Sequence, residues 1–130
     1  MAPDVTAYLA DLSKVARPAA QCVHDFLVSR GCQPYVKTIY IGYELNGQMV
    51  AATYGHPAHI EVAMALPEEH PDGRLHDAAH LSWRTMPLAA TVATVAESKA
   101  LTPLLTQAVE AVAAGEHKVD RDADYFLRRK

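Results

Sequence analysis

VKTIYIGYELNGQMVAATY, Val36 to Tyr54, is the stretch on which the reading of this chain turns. β-Branched and aromatic residues fill both halves, and Asn46-Gly47 between them is the strongest short signal for a two-residue hairpin turn, which needs positive φ at both central positions. The stretch predicts two antiparallel strands. Downstream, Gly55-His56-Pro57 makes a second connection into HIEVAMAL, where Ile60, Val62, Met64 and Leu66 alternate with His59, Glu61, Ala63 and Ala65. That alternation is the pattern of a strand with one buried face. PEEHPDGR, residues 67–74, is a polar loop with two prolines and a glycine, and HLSWRT (80–85) and AATVATV (89–95) read as further strands on either side of Pro87.

Upstream of the hairpin the period changes to that of helices. Val5, Tyr8, Leu9, Leu12 and Val15 recur at helical spacing until Arg17-Pro18 interrupts them. Pro18 suits the first turn of a second helix with Ala19, Val23, Phe26 and Leu27 on one side, and Gly31 is placed to end it. At the other end, Thr102-Pro103 has the chemistry of a helix start, and Leu104, Leu105, Ala108, Val109 and Val112 supply an apolar stripe that Gly115 stops. The expected fold is therefore α+β: two N-terminal helices, an antiparallel sheet of about five strands, and a C-terminal helix packed on one face. Residues 1–115 form one domain in this reading. Residues 116–130 are a charged tail or a short appended helix, in which Tyr125, Phe126 and Leu127 are expected to dock on the domain or on a second subunit.

Composition narrows the partners. Half of the 130 residues are hydrophobic and 21% are charged, with 12 Lys and Arg against 15 Asp and Glu. This is ordinary for a globular domain and lacks the excess positive charge of a general nucleic-acid binder, so no nucleic acid is expected. No apolar run approaches the roughly 18 residues of a membrane span, and MAPDVTAYLADLSK has no basic start followed by an apolar stretch, so neither membrane nor secretory leader is expected. A chain of this size buries enough surface to fold without a metal or a disulfide. Cys22 lies within the second predicted helix and Cys32 just past it, about 15 Å apart at helical rise, too far to bridge. Two reduced thiols in a cytoplasmic protein are the expectation.

Taken together, Tyr40 to Ala51 (YIGYELNGQMVA), Ile60 to Leu66 (IEVAMAL), Leu81 to Pro87 (LSWRTMP) and a last strand leading into an Ala-rich helix resemble the YdhG-like family of small, uncharacterised domains. The resemblance runs from Ile39 to Val112. It implies two N-terminal helices, an antiparallel sheet and a C-terminal helix, often in standalone bacterial proteins. It implies no activity, because these are fold motifs and carry no catalytic signature.

Chemistry is suggested at one place, RLHDAAHLSWRT (74–85). His76, Asp77 and His80 repeat the spacing of the H-E-x-x-H zinc helix with Asp for Glu, and His56, His59 and His70 lie close in sequence as a third ligand. If the segment is helical, His76 and His80 stand about 6 Å apart on one face and share a metal. If it is extended, they stand roughly 13 Å apart and do not. The loop setting, among Pro57, Pro67, Pro71 and Gly73, favours solvated histidines over a zinc helix. Nucleophile elbows, phosphate loops and paired catalytic carboxylates are missing from the sequence.

Trp83-Arg84 offers a different site. Extended, the two side chains point to opposite faces, with Trp83 in the core and Arg84 presented to solvent or to a carboxylate such as Glu61. The alternative is a groove walled by Tyr40, Tyr43, Tyr54 and Trp83, with Arg84, Lys37 or a histidine fixing an anionic group. The sequence thus points to a noncatalytic module that binds a small molecule or protein partner, requires no cofactor and dimerises if the tail docks on a second copy. Its competitor is a metal-dependent hydrolase built on His76, Asp77 and His80.

Overall fold

The computed structural model describes residues 4–81 and 83–115 of the chain. Two helices come first, α1 (Val5–Asp11) and α2 (Ala16–Ser29). Six strands follow, β1 (Gln33–Val36), β2 (Tyr40–Leu45), β3 (Gln48–Gly55), β4 (Ile60–Met64), β5 (Leu75–Asp77) and β6 (Leu88–Val92), with a short 3-10 helix, Ala79–Leu81, after β5. Helix α3 (Val95–Ala113) closes the order. All strand pairs are antiparallel, in the spatial order β1-β2-β3-β4-β6-β5. The α+β class and the helix order are those expected from the sequence.

The Asn46-Gly47 turn is where the sequence puts it, with φ of 54° and 78° at its two central residues. Gly31 and Gly115 adopt φ of 90° and 80°, the left-handed conformation that ends α2 and α3.

Four boundaries differ from expectation, each for a local reason. Helix α1 stops at Asp11, before Arg17-Pro18. Ser13 Oγ accepts from Ala16 N at 3.0 Å and starts α2 there, while the Arg17 guanidinium donates to Ala10 O and Leu12 O, both at 2.9 Å. Pro18 then falls in the first turn, where its missing N–H has no helical partner to lose.

The expected strand from Val36 to Leu45 is two strands, β1 and β2, closed by Lys37 N donating to Tyr40 O at 2.9 Å. The described residues of HLSWRT are not in a strand: they belong to the 3-10 helix and the loop after it, in a segment tied at its neck by Ala78 N donating to Pro87 O at 2.8 Å. The strand there is β5, which pairs with β6 through His76 and Ala89. Six strands replace the expected five.

Helix α3 begins seven residues before Thr102, in the stretch read as strand. Thr94 and Glu97 form a reciprocal capping box, Glu97 N donating to Thr94 Oγ1 at 3.0 Å and Thr94 N to Glu97 Oε1 at 3.2 Å. Pro103 lies inside the helix and leaves the Lys99 carbonyl without its amide donor four residues on; Thr102 Oγ1 donates to that carbonyl at 2.8 Å instead. Both cysteines are free thiols, and burial pushes the Cys32 thiol up to about 11.

The two faces of the sheet are covered differently. Ile41, Tyr43, Thr53, Val62 and Ala90 line the face that meets the helices, where His24 of α2 bonds Tyr43 Oη at 2.9 Å. Tyr40, Gly42, Ala52, Tyr54, Glu61, Ala63, Ala89 and His76 line the opposite face. There the 78–87 loop serves as the cover, with Trp83 and Met86 fully buried. β4 is accordingly buried on both faces, not one. No helix among the described residues is long and apolar enough to cross a membrane.

Candidate metal centre

Glu61 is the centre of a polar cluster on the loop-covered face. It sits in mid-sheet on β4, registered opposite Tyr54 on β3 and Thr91 on β6, and is 7% exposed. A carboxylate at that depth needs donors, and two imidazoles supply them: His76 Nε2 and His80 Nε2 each lie 2.8 Å from Glu61 Oε2. His76 comes from β5, two strands away, and its neighbour on β6 is Ala89. Glu61's own neighbour on β6 is Thr91, two residues from Ala89, so the side chains of Glu61 and His76 meet on a diagonal across β6. His80 comes from the 3-10 helix, which folds the chain back over β5 and stacks its ring near that of His76, centroids 6.3 Å apart at 20°.

A third imidazole lies beside the other carboxylate oxygen. His56 Nε2 is 3.7 Å from Glu61 Oε1, at ion-pair range and beyond a hydrogen bond. His56 opens the β3–β4 connection, in which its amide donates to His59 O at 2.9 Å and its ring stacks on that of His59 at 4.6 Å. Burial pushes the Glu61 carboxyl up, but the hydrogen bonds and charge of His76 and His80 outweigh that effect and hold it below the usual carboxylate value.

The donor atoms of Glu61, His76 and His80 all lie within 4.8 Å of one another, and among the described residues they are the one such group. A first-row divalent ion held tetrahedrally at about 2.0–2.2 Å from each ligand places neighbouring ligand atoms about 3.4 Å apart. The 2.8 Å hydrogen-bonded separations therefore need to open by about 0.6 Å for an ion to take the place between them. The side chains of His76 and His80 are 41% and 55% exposed, so an ion has a direct path in.

No family model, curated protein or solved structure matches this chain.

The residues singled out in the sequence fall into three groups. His76 and His80 converge, through a bend that is neither the helix nor the strand weighed for HDAAH. Asp77 does not join them: it is exposed, outside the group of converging ligands, and its Oδ1 accepts from Ala79 N at 2.6 Å to set the turn into the 3-10 helix. Its side chain is too short and leaves β5 on the opposite side from His76.

Tyr40, Tyr54 and Trp83 form one packed cluster, with ring centroids 5.3 and 5.5 Å from Tyr40 to its two neighbours. Trp83 Nε1 donates to Tyr54 Oη at 2.7 Å. Their exposures of 8%, 7% and 0% make them core. Tyr43 is on the helix-covered face, away from the other three, and Arg84 is exposed. The five are therefore divided among two sheet faces and the surface. His70 bonds Gln107 Oε1 of α3 at 2.8 Å. Tyr125, Phe126 and Leu127 lie outside the described residues.

Glu61 is the member of this cluster that was not singled out from the sequence as a candidate ligand. A signal was present: the positions alternating with Ile60, Val62 and Met64 are Glu61, Ala63 and Ala65, and alanines on a supposed solvent face mark a covered one. A lone carboxylate on a covered face needs partners.

Proposed function

We propose that this chain is a noncatalytic module that binds one divalent transition metal ion through Glu61, His76 and His80. The observation that carries the reading is the convergence of both imidazoles on a single buried carboxylate oxygen at 2.8 Å. Two nitrogens and one carboxylate oxygen are a donor set for zinc, cobalt, nickel or iron, and are poorly matched to calcium or magnesium, which take mostly oxygen ligands. The YdhG-like resemblance belongs to the same proposal and adds no chemistry to it. The hydrolase alternative loses its assigned base, since Asp77 holds a turn and stands apart from the ligands. A small-molecule groove at the aromatic rings loses its open wall.

Untagged, metal-free protein titrated with zinc against a chromophoric chelator tests the reading. One ion per chain is expected, with affinity reduced at least about tenfold in Glu61→Gln and in His80→Ala. Absence of saturable binding, or equal affinity in Glu61→Gln, overturns it.

A further inference from the structure

We infer that His56 is a fourth protein ligand, so that metal entry closes the shell of this site instead of leaving a position open to water or substrate. The inference rests on the metal-binding reading above and concerns what kind of centre it is. Glu61 divides its two oxygens: Oε2 faces His76 and His80, whereas Oε1 faces His56 Nε2 at 3.7 Å. His56 is held close to the carboxylate by the sheet itself, because Gly55 and Ile60 are the last registered pair of β3 and β4 and each is a chain neighbour of one of the two residues. The turn between them is fixed by the His56 N to His59 O bond, so the His56 backbone is anchored. Its ring is on the surface, 41% exposed and stacked on the His59 ring, so it can turn about its own side-chain bonds without breaking backbone structure.

An ion drawn to Glu61, His76 and His80 places a double positive charge near the His56 ring, which lies outside the 4.8 Å group of the other three and turns inward to join it. Three nitrogens and one oxygen then give the tetrahedral, four-ligand arrangement of closed zinc sites, whereas hydrolytic zinc sites keep three protein ligands and a water. Closure also ties together the β3–β4 turn, β4, β5 and the 3-10 helix through one atom. The centre is in that case one for holding or sensing metal, with no coordinated water to activate.

Cobalt(II) is the probe, since its visible absorption is intense in tetrahedral sites and weak in five- or six-coordinate ones. The metal-free chain loaded with one equivalent of cobalt is expected to give the intense spectrum. His56→Ala is expected to bind cobalt at least about tenfold more weakly and to give a shifted spectrum, since a water oxygen replaces the imidazole nitrogen in the shell. Cobalt bound by the unaltered chain with a weak spectrum, or an affinity and spectrum unchanged by His56→Ala, overturns the inference and leaves the three-ligand site standing. No cobalt binding by the unaltered chain overturns the metal reading itself and this inference with it.

Discussion

Tyr54 and Glu61 are registered partners on adjacent strands of the same sheet face, yet they belong to opposite environments. On the β2–β3 side, Tyr40, Tyr54 and Trp83 pack ring against ring and exclude water. On the β4–β5 side, a carboxylate gathers imidazoles whose outer edges are wet. One loop makes both halves. Residues 78–87 lay Trp83 over the tyrosines and present His80 to Glu61 from the turn before it. The polar half is thus positioned by the apolar half: the buried indole anchors the loop, and the loop brings His80 to Glu61. A site on a short 3-10 helix is otherwise poorly fixed, because so short an element has little packing of its own.

Trp83→Ala is expected to have the largest effect on both halves. Removing a fully buried indole is expected to cost about 3 to 5 kcal/mol, read from the midpoint of urea unfolding. Zinc affinity should fall with it in the fraction that remains folded, since His80 loses the anchor of its loop. A midpoint close to that of the unaltered chain would show that the loop is held by something other than the ring cluster.

Tyr54→Phe makes a finer cut. It keeps the ring and removes the hydroxyl that accepts from Trp83 Nε1, with an expected cost of about 1 kcal/mol and no change in zinc affinity. A large loss of zinc binding in this variant would mean that the dry half and the wet half are coupled more tightly than one loop requires.

The smallest effect is expected at the entry to β5. There Asp72 takes both side-chain and backbone hydrogen bonds from Arg74, and these hold its carboxyl at about 2, below the ordinary 3.8. A folded-state value below the unfolded one stabilises the fold above the ordinary value, and that contribution is lost as pH falls through about 2. Asp72→Asn should therefore lower the melting temperature slightly near neutral pH, and the difference should shrink to nothing in strong acid. The clasp is on the surface, so the shift is expected to be small. A difference that persists unchanged at the lowest pH would assign the effect to the side chain's shape and not to its charge.

Where the sequence reading succeeded, the signal was local. Asn46-Gly47 names its own turn and the two strands it joins, Gly31 and Gly115 name the ends of helices, and period-two alternation names β4. Where it failed, a local signal was overruled by a partner. Thr102-Pro103 looks like a helix start, but Thr94 and Glu97 cap α3 earlier and Thr102 repairs the break that Pro103 makes. HLSWRT has the composition of a strand, yet its indole is worth more to the fold buried over Tyr40 and Tyr54 than held in a ladder. The candidate site was half visible in the same way: the spacing of His76 and His80 drew attention, while Asp77 between them stands outside the converging group and takes part in the turn into the 3-10 helix.

By itself, the sequence determined the class of this protein, because helix and strand periodicities, glycine and proline positions and turn chemistry act over a few residues and need no knowledge of what lies across the fold. Only the tertiary structure decided the site. Glu61 stands 15 residues from His76 and 19 from His80 along the chain. They meet because β6 inserts between β4 and β5 with Ala89 on the shared face, and because the loop sealed by Trp83 turns His80 back toward the sheet. Strand order and loop closure are set by the sum of contacts across the whole core, and no short stretch of residues encodes that sum.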